Sequence, residues 1–134
     1  MIALDTSVVV AAFASWHEGH AASVAALSRD PRLPAHVLVE SYAVLTRLPP
    51  PHRAPAHVVE AFLNQRFTGA LLTLPGSAQR ELLRLAVRRG FGGGAIYDAL
   101  VAAAAKHAGA TLLTRDRRAA LVYEAVGVHF ELVY

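Results

Sequence analysis

Ten acidic residues are spread along the 134-residue chain, and Asp98 stands apart from the other nine. It is the one charge in AIYDALVAAAA, residues 95–105. On a helix its neighbours three and four positions away are Gly94, Ala95, Val101 and Ala102, none able to pair with a carboxylate. A first-turn acid gains about 0.3–1 kcal/mol from the helix dipole. That accounts for an acid near a helix start, but not for one ringed by small apolar groups. Small neighbours let another group approach the carboxylate closely.

Three further acids occupy suggestive places. Asp5 ends the apolar stretch MIAL, and Asp116 lies just beyond TLLT. Ligand sites in open α/β sheets form outside the carboxyl ends of the strands, so these two are expected at one edge. Both also precede a predicted helix and suit an N-cap. A cap and a metal ligand are compatible roles. Glu40, within HVLVESYAVL, shares a helical stripe with His36, Ala43 and Arg47, which reads equally well as an exposed polar face. Glu18, Asp30, Glu60, Glu81, Glu124 and Glu131 fall in loops, on charged faces or near the terminus, and read as solvated.

If Asp5, Glu40, Asp98 and Asp116 converge, the chemistry is constrained. Clustered carboxylates raise one another's pKa and need a counter-charge. Oxygen donors in a chain without cysteine select Mg²⁺ or Mn²⁺ over zinc. Such an ion, held beside a phosphate, suits phosphodiester hydrolysis. Competing chemistries lack their motifs. His17 and His20 flank a turn and His52 and His57 the proline loop, without a zinc-binding spacing. No G-x-S-x-G occurs. The loop GFGGG, residues 90–94, lacks the lysine and preceding strand of a phosphate loop, and reads as a flexible lead into the Asp98 helix.

The elements that must position these residues alternate between strand and helix. Residues 1–4 predict a strand, 6–13 a helix, 16–19 a loop and 20–28 a second helix, broken by Asp30-Pro31 and Leu33-Pro34. Residues 35–48 and 55–67 predict helices joined across the prolines at 49–55, and 70–74 a strand closed by Pro75-Gly76. Residues 77–89 predict a helix capped by Ser77, and 95–107 the Asp98 helix. A strand over 110–114, a helix over 117–126 stopped by Gly127, and a strand over 128–133 follow. This order implies a parallel sheet covered by helices, in one domain spanning 1–134.

Composition agrees with an ordered, water-exposed domain. Hydrophobic residues make up 54% and charged residues 17%, too apolar for disorder. Mean hydropathy is +0.37, yet the longest apolar runs fall far short of the ~18 residues that cross a bilayer. No basic segment precedes the first apolar run, so neither a leader nor a membrane is expected, and the chain reads as cytoplasmic. The net charge is +3, with twelve arginines and one lysine. Arginine forks suit phosphate, so an anionic partner is consistent, although a high-GC genome produces the same bias.

MIALDTS, Glu40, IYDALVAAAAKHAGATLLTRD and the closing HFELVY, in that order, resemble the PIN-domain nucleases, and among them the VapC-type toxins of bacterial toxin–antitoxin pairs. The resemblance covers nearly the whole chain. It implies a three-layer α/β/α fold with a central parallel sheet, and Mg²⁺- or Mn²⁺-dependent endonucleolytic cleavage of RNA. Carried over, Asp5, Glu40, Asp98 and Asp116 are the catalytic and metal-holding acids, with Thr6, Ser7 and Thr114 as accessory hydroxyls. It also implies a homodimer and inhibition by a small VapB-type antitoxin whose tail enters the active-site groove. Some relatives carry a further acid shortly after the one matched by Asp116. Arg117, Arg118 and Ala119 stand there instead, so one metal is expected rather than two.

Arg115, Arg117 and Arg118 surround Asp116, and Arg88 and Arg89 precede the glycine loop; these five are candidates for holding RNA phosphates, the alternative being solvated helix ends. Trp16 is expected near the mouth, either stacking on a base or packing in a core or dimer contact. The rival to an enzyme is a PIN-like module that binds RNA or protein without cutting. The presence of all four acids weighs against it.

Overall fold

The computed structural model describes residues 1–134. Three parallel strands form the sheet: β1 (Ile2–Leu4), β2 (Thr111–Thr114) and β3 (Phe130–Leu132), with β2 in the middle. The register sets Leu4 opposite Leu113 and Thr114 opposite Leu132. Six helices separate β1 from β2: α1 (Thr6–Phe13), α2 (His20–Leu27), α3 (Ala35–Thr46), α4 (Ala56–Arg66), α5 (Gly76–Arg89) and α6 (Ala95–His107). α7 (Arg117–Val126) joins β2 to β3.

Successive side chains of a strand face opposite sides of its sheet. Leu112, Leu113 and Thr114 are nevertheless all buried, so both faces of β2 are covered. α1 and α6 both pack on β2; α1 also packs on α2 and α3, while α6 packs on α5 and α7. The outcome is the expected α/β/α arrangement, with 28 buried residues in one apolar cluster.

Three local expectations are corrected. The strand expected over 70–74 is reduced to one parallel bridge between Pro34 and Leu72. Its partner is the segment 31–34, where Pro31 and Pro34 have no N–H to donate. Pairing there is confined to bonds such as Leu72 N–H to the Leu33 carbonyl and Ala35 N–H to the Leu72 carbonyl, both 2.9 Å. The same segment touches β1 through an Ala3–Arg32 bridge, so a stretch that reads as a helix break also borders the sheet. Ser77, expected to cap α5, lies inside it; the helix begins at Gly76 after Pro75, with no side-chain cap. The final strand is shorter than expected because only Phe130–Leu132 pair with β2.

Glycines close α5 and α7. Gly90 ends α5 at φ 75°, and Phe91 N–H returns to the Ala86 carbonyl at 2.8 Å. Gly127 ends α7 at φ 86°. Both positions favour a residue without a Cβ. No helix is long and apolar enough to cross a membrane.

Candidate active site

β1 and β2 are parallel neighbours, so the residues that follow them emerge side by side. Asp5 follows β1 and caps α1, its Oδ1 accepting the Val8 N–H at 3.3 Å. Asp116 follows β2 and caps α7, its Oδ1 accepting from the N–H groups of Arg118 at 2.9 Å and Ala119 at 3.3 Å. Capping and facing the cleft are thus combined in one side chain at both positions. Asp98 reaches the same place from the first turn of α6, and Glu40 from the middle of α3.

All four acids line one cleft of about 450 Å³, with Val10, Val44 and Val101 supplying apolar wall. Asp5 is the deepest, 4% exposed. Ser7 Oγ donates to its Oδ1 at 2.5 Å and Tyr123 Oη to its Oδ2 at 2.9 Å. Burial raises the Asp5 pKa, and the hydrogen bonds from Ser7, Thr114, Tyr123 and Val8 oppose that rise. Asp98 has no hydrogen bond or ion pair, and its carboxyl is pushed up to about 6, first by burial and then by Asp116, Glu40 and Asp5. Burial, followed by the Asp5 charge, pushes the Tyr123 phenol well above its ordinary value. Tyr123 therefore serves as a fixed hydrogen-bond donor.

Glu40 is held differently. His36 Nε2 lies 2.9 Å from its Oε2, one helical turn away, and the His36 ring stacks on Tyr97 with planes 2° apart. The accessory hydroxyls form a short chain. Arg115 N–H donates to Ser7 Oγ at 2.8 Å, Asp116 N–H to Thr114 Oγ1 at 3.0 Å, and the two hydroxyls lie 3.5 Å apart. Thr6 also lines the cleft, and its buried Oγ1 has no partner.

The expected arginines separate into groups. Arg115 lines the cleft, but its Nη1 donates to the Val133 carbonyl at 2.9 Å and its guanidinium lies on Gly19; a methyl group there would meet the Cζ at 2.1 Å. Arg117 donates to Tyr134 Oη at 3.1 Å and sits over that ring. Arg118 is exposed beside Asp116. Arg88 lines a different cleft with Lys106 and His107, and neither Arg88 nor Arg89 faces the acids.

Sequence reasoning missed four contributors. Glu18, read as solvated, lines the cleft and brings a fifth carboxylate; His17 beside it lines the cleft as well. Tyr123 reads as ordinary core within LVYEAV, and nothing local shows that its hydroxyl meets a residue 118 positions away. His36 had a visible signal, its four-residue spacing from Glu40.

The donor set suits a hard divalent cation. It is all oxygen, drawn from carboxylates that repel one another, and no ion pair neutralises Asp5, Asp98 or Asp116. No three acidic or histidine side chains stand close enough to grip one ion directly. Mg²⁺ tolerates that spacing, because it keeps several waters and takes only one or two carboxylates. The fit is one of charge and donor type.

Comparison with known proteins gives a consistent family. The PIN domain profile matches residues 2–125. Ribonuclease VapC40 of Mycobacterium tuberculosis is 53% identical over 133 residues, 99% of both chains. Ribonuclease VapC27 of the same species is 43% identical over 129 residues, covering 96% of this chain and 93% of the other. Among solved structures, VapBC2 from Rickettsia felis, bound to a DNA fragment from its promoter, superimposes with a TM-score of 0.66 at 17% identity, covering 98% of each chain.

Proposed function

This chain belongs to the PIN-domain family, and from that premise we propose that it is a metal-dependent endoribonuclease, the toxin of a toxin–antitoxin pair. One observation carries the chemistry: Asp5, Glu40, Asp98 and Asp116, from four separate elements, line one cleft, and none of them is paired with an arginine or lysine. Fourfold convergence of this kind costs stability, which an inert scaffold has no reason to bear. The names of the two mycobacterial relatives support RNA as the substrate.

In this reading Asp5, Asp98, Asp116 and Glu40 would hold one Mg²⁺ or Mn²⁺, no more than two of them in direct contact and the others through the ion's waters. The ion supplies charge neutralisation at the phosphate and an activated water at neutral pH. The protein's own groups set the geometry. Tyr123 and Ser7 fix both oxygens of Asp5, while helix capping fixes one oxygen of Asp116 and leaves the other for the cleft. Val10, Val44 and Val101 thin the water around the carboxylates, strengthening each charge interaction. The cytoplasm, a homodimer and a small VapB-type antitoxin whose tail enters the cleft complete the proposal, and the solved VapBC pair supports the partner.

The test is cleavage of RNA by purified protein in Mg²⁺ or Mn²⁺, in EDTA, and with Asp98→Asn. Cutting that needs the ion and falls by orders of magnitude in the variant is expected. RNA binding without cutting under every metal condition would make the chain a binding module instead.

A further inference from the structure

Trp16 is the only tryptophan in the chain, and it is 50% exposed. It belongs to no core, contrary to one of the sequence expectations. An apolar ring of this size on the surface is held there by two things. His52 stacks on it, with centroids 3.9 Å apart and planes 28° from parallel. The loop beneath it is tight: His17 N–H donates to the Ala14 carbonyl at 3.0 Å, Gly19 N–H to His17 Nδ1 at 2.9 Å, and Arg115 lies across Gly19. His52 rides on an equally tight turn, its N–H donating to the Pro49 carbonyl at 3.0 Å. The indole is presented in a fixed pose, with one face covered.

Its position continues the acid cleft. His17 and Glu18, the next two residues, line that cleft, as do Glu40 and Val44 of α3. From Val44 the chain runs on to Arg47 and then into the turn that carries His52 and Arg53. Arg47 and Arg53 are exposed and have no acidic partner; Arg53 Nε donates to the Leu48 carbonyl at 2.8 Å, which leaves its two terminal nitrogens open, whereas Arg115 and Arg117 are tied to Val133 and Tyr134 through theirs.

We propose that Trp16 and His52 form a stacking platform for an unpaired base of the RNA, with Arg47 and Arg53 holding the phosphates beside it. The proposal rests on the ribonuclease reading and narrows its substrate to single-stranded or looped RNA. A duplex hides the faces of its bases, whereas a single strand offers them to aromatic rings. The carboxylates repel the phosphates that must enter, so cationic side chains outside the acid cluster are required to offset them. Trp16 is on this account a positioning residue.

The experiment uses Asp98→Asn protein, which keeps the RNA intact, titrated with short oligoadenylate and with its duplex with oligouridylate. Because the indole is the only one, its fluorescence reports the contact directly. The single strand should quench it and the duplex should leave it nearly unchanged. Trp16→Ala, added to that background, should weaken the single strand roughly tenfold by anisotropy without altering the salt slope, and Trp16→Phe should recover most of the loss. His52→Ala should weaken it too, and Arg53→Ala should flatten the salt slope by about one. With Asp98 restored, Trp16→Ala should raise KM and leave kcat close to normal. Absence of quenching at saturating single strand, or parental affinity in Trp16→Ala, overturns the platform. Loss of self-association or antitoxin binding with RNA affinity intact overturns it in favour of a protein contact. In either case, persistent metal-dependent cleavage keeps the ribonuclease reading standing, whereas protein that neither binds nor cuts RNA removes both.

Discussion

Asp98→Asn should make the metal-free protein more stable at neutral pH while destroying its cleavage. The Asp98 carboxyl moves from 3.8 to about 6 on folding, through burial and then Asp116, Glu40 and Asp5. For a fully shielded group that corresponds to about 3 kcal/mol. The cleft is open to solvent, and screening reduces the figure to about 1–1.5 kcal/mol. The neutral amide escapes this cost but loses the dipole interaction of a first-turn carboxylate, about 0.3–1 kcal/mol. The net gain is about 0–1.2 kcal/mol, centred near 0.6 kcal/mol, or roughly 2 °C in Tm for a chain of this length. The sign also fixes the pH window. The folded state holds this proton more tightly than the unfolded chain, so wild-type stability declines as pH rises from about 4 to about 6 and stays lower above it. Melting curves in EDTA and low salt between pH 4 and 8 should therefore show wild type and variant converging at the acid end. Millimolar Mn²⁺ should then raise the wild type at pH 7.5, by about 1.4 kcal/mol at ten times Kd, and the variant much less. A variant that melts below wild type at pH 7.5 in EDTA, or equal stabilisation of both by Mn²⁺, would refute a repelling cluster completed by a cation.

Two other substitutions separate structural from chemical roles. Asp116→Asn should keep the α7 cap and the Tm but lose cleavage, whereas Asp116→Ala should lose cleavage and about 1 kcal/mol of stability, both read by melting and single-turnover assays. Tyr123→Phe removes a buried donor to Asp5, so about 1–2 kcal/mol of stability should go and the acid limb of the pH–rate profile should move upward; an unmoved profile would limit Tyr123 to packing.

Much of this architecture was legible because the chain marks it locally. Seven helices were announced by prolines, glycines and apolar spacing, and the buried strand TLLT by an unbroken apolar run. Asp98 was conspicuous because its surroundings are so apolar. Glu40 stayed ambiguous, since its stripe with His36 suits either a solvated face or a tethered ligand, and only packing places it in the cleft. The failed strand at 70–74 reads well by itself; its weakness lies in a partner segment with two prolines, a property of the pair. Tyr123 and Glu18 were hidden for the same reason. Their roles depend on residues brought together by the sheet register, which no window of sequence displays.

The register has a consequence for how the protein comes into being on the ribosome. Ile2 pairs with Thr111, so the first strand of the nascent chain waits through six helices for its neighbour. Closing a loop of that length is entropically costly and puts the molecule among slow-folding, non-local topologies. At about 5–20 residues per second, Asp5 leaves the exit tunnel several seconds before Asp116 and Tyr123 are even synthesised. Until then the acids are scattered over separate helices and an unpaired strand. A product stalled before β2 lacks Asp116 and Tyr123 and cannot assemble the cleft, so anything that recognises the assembled cleft has nothing to grip before translation is almost complete.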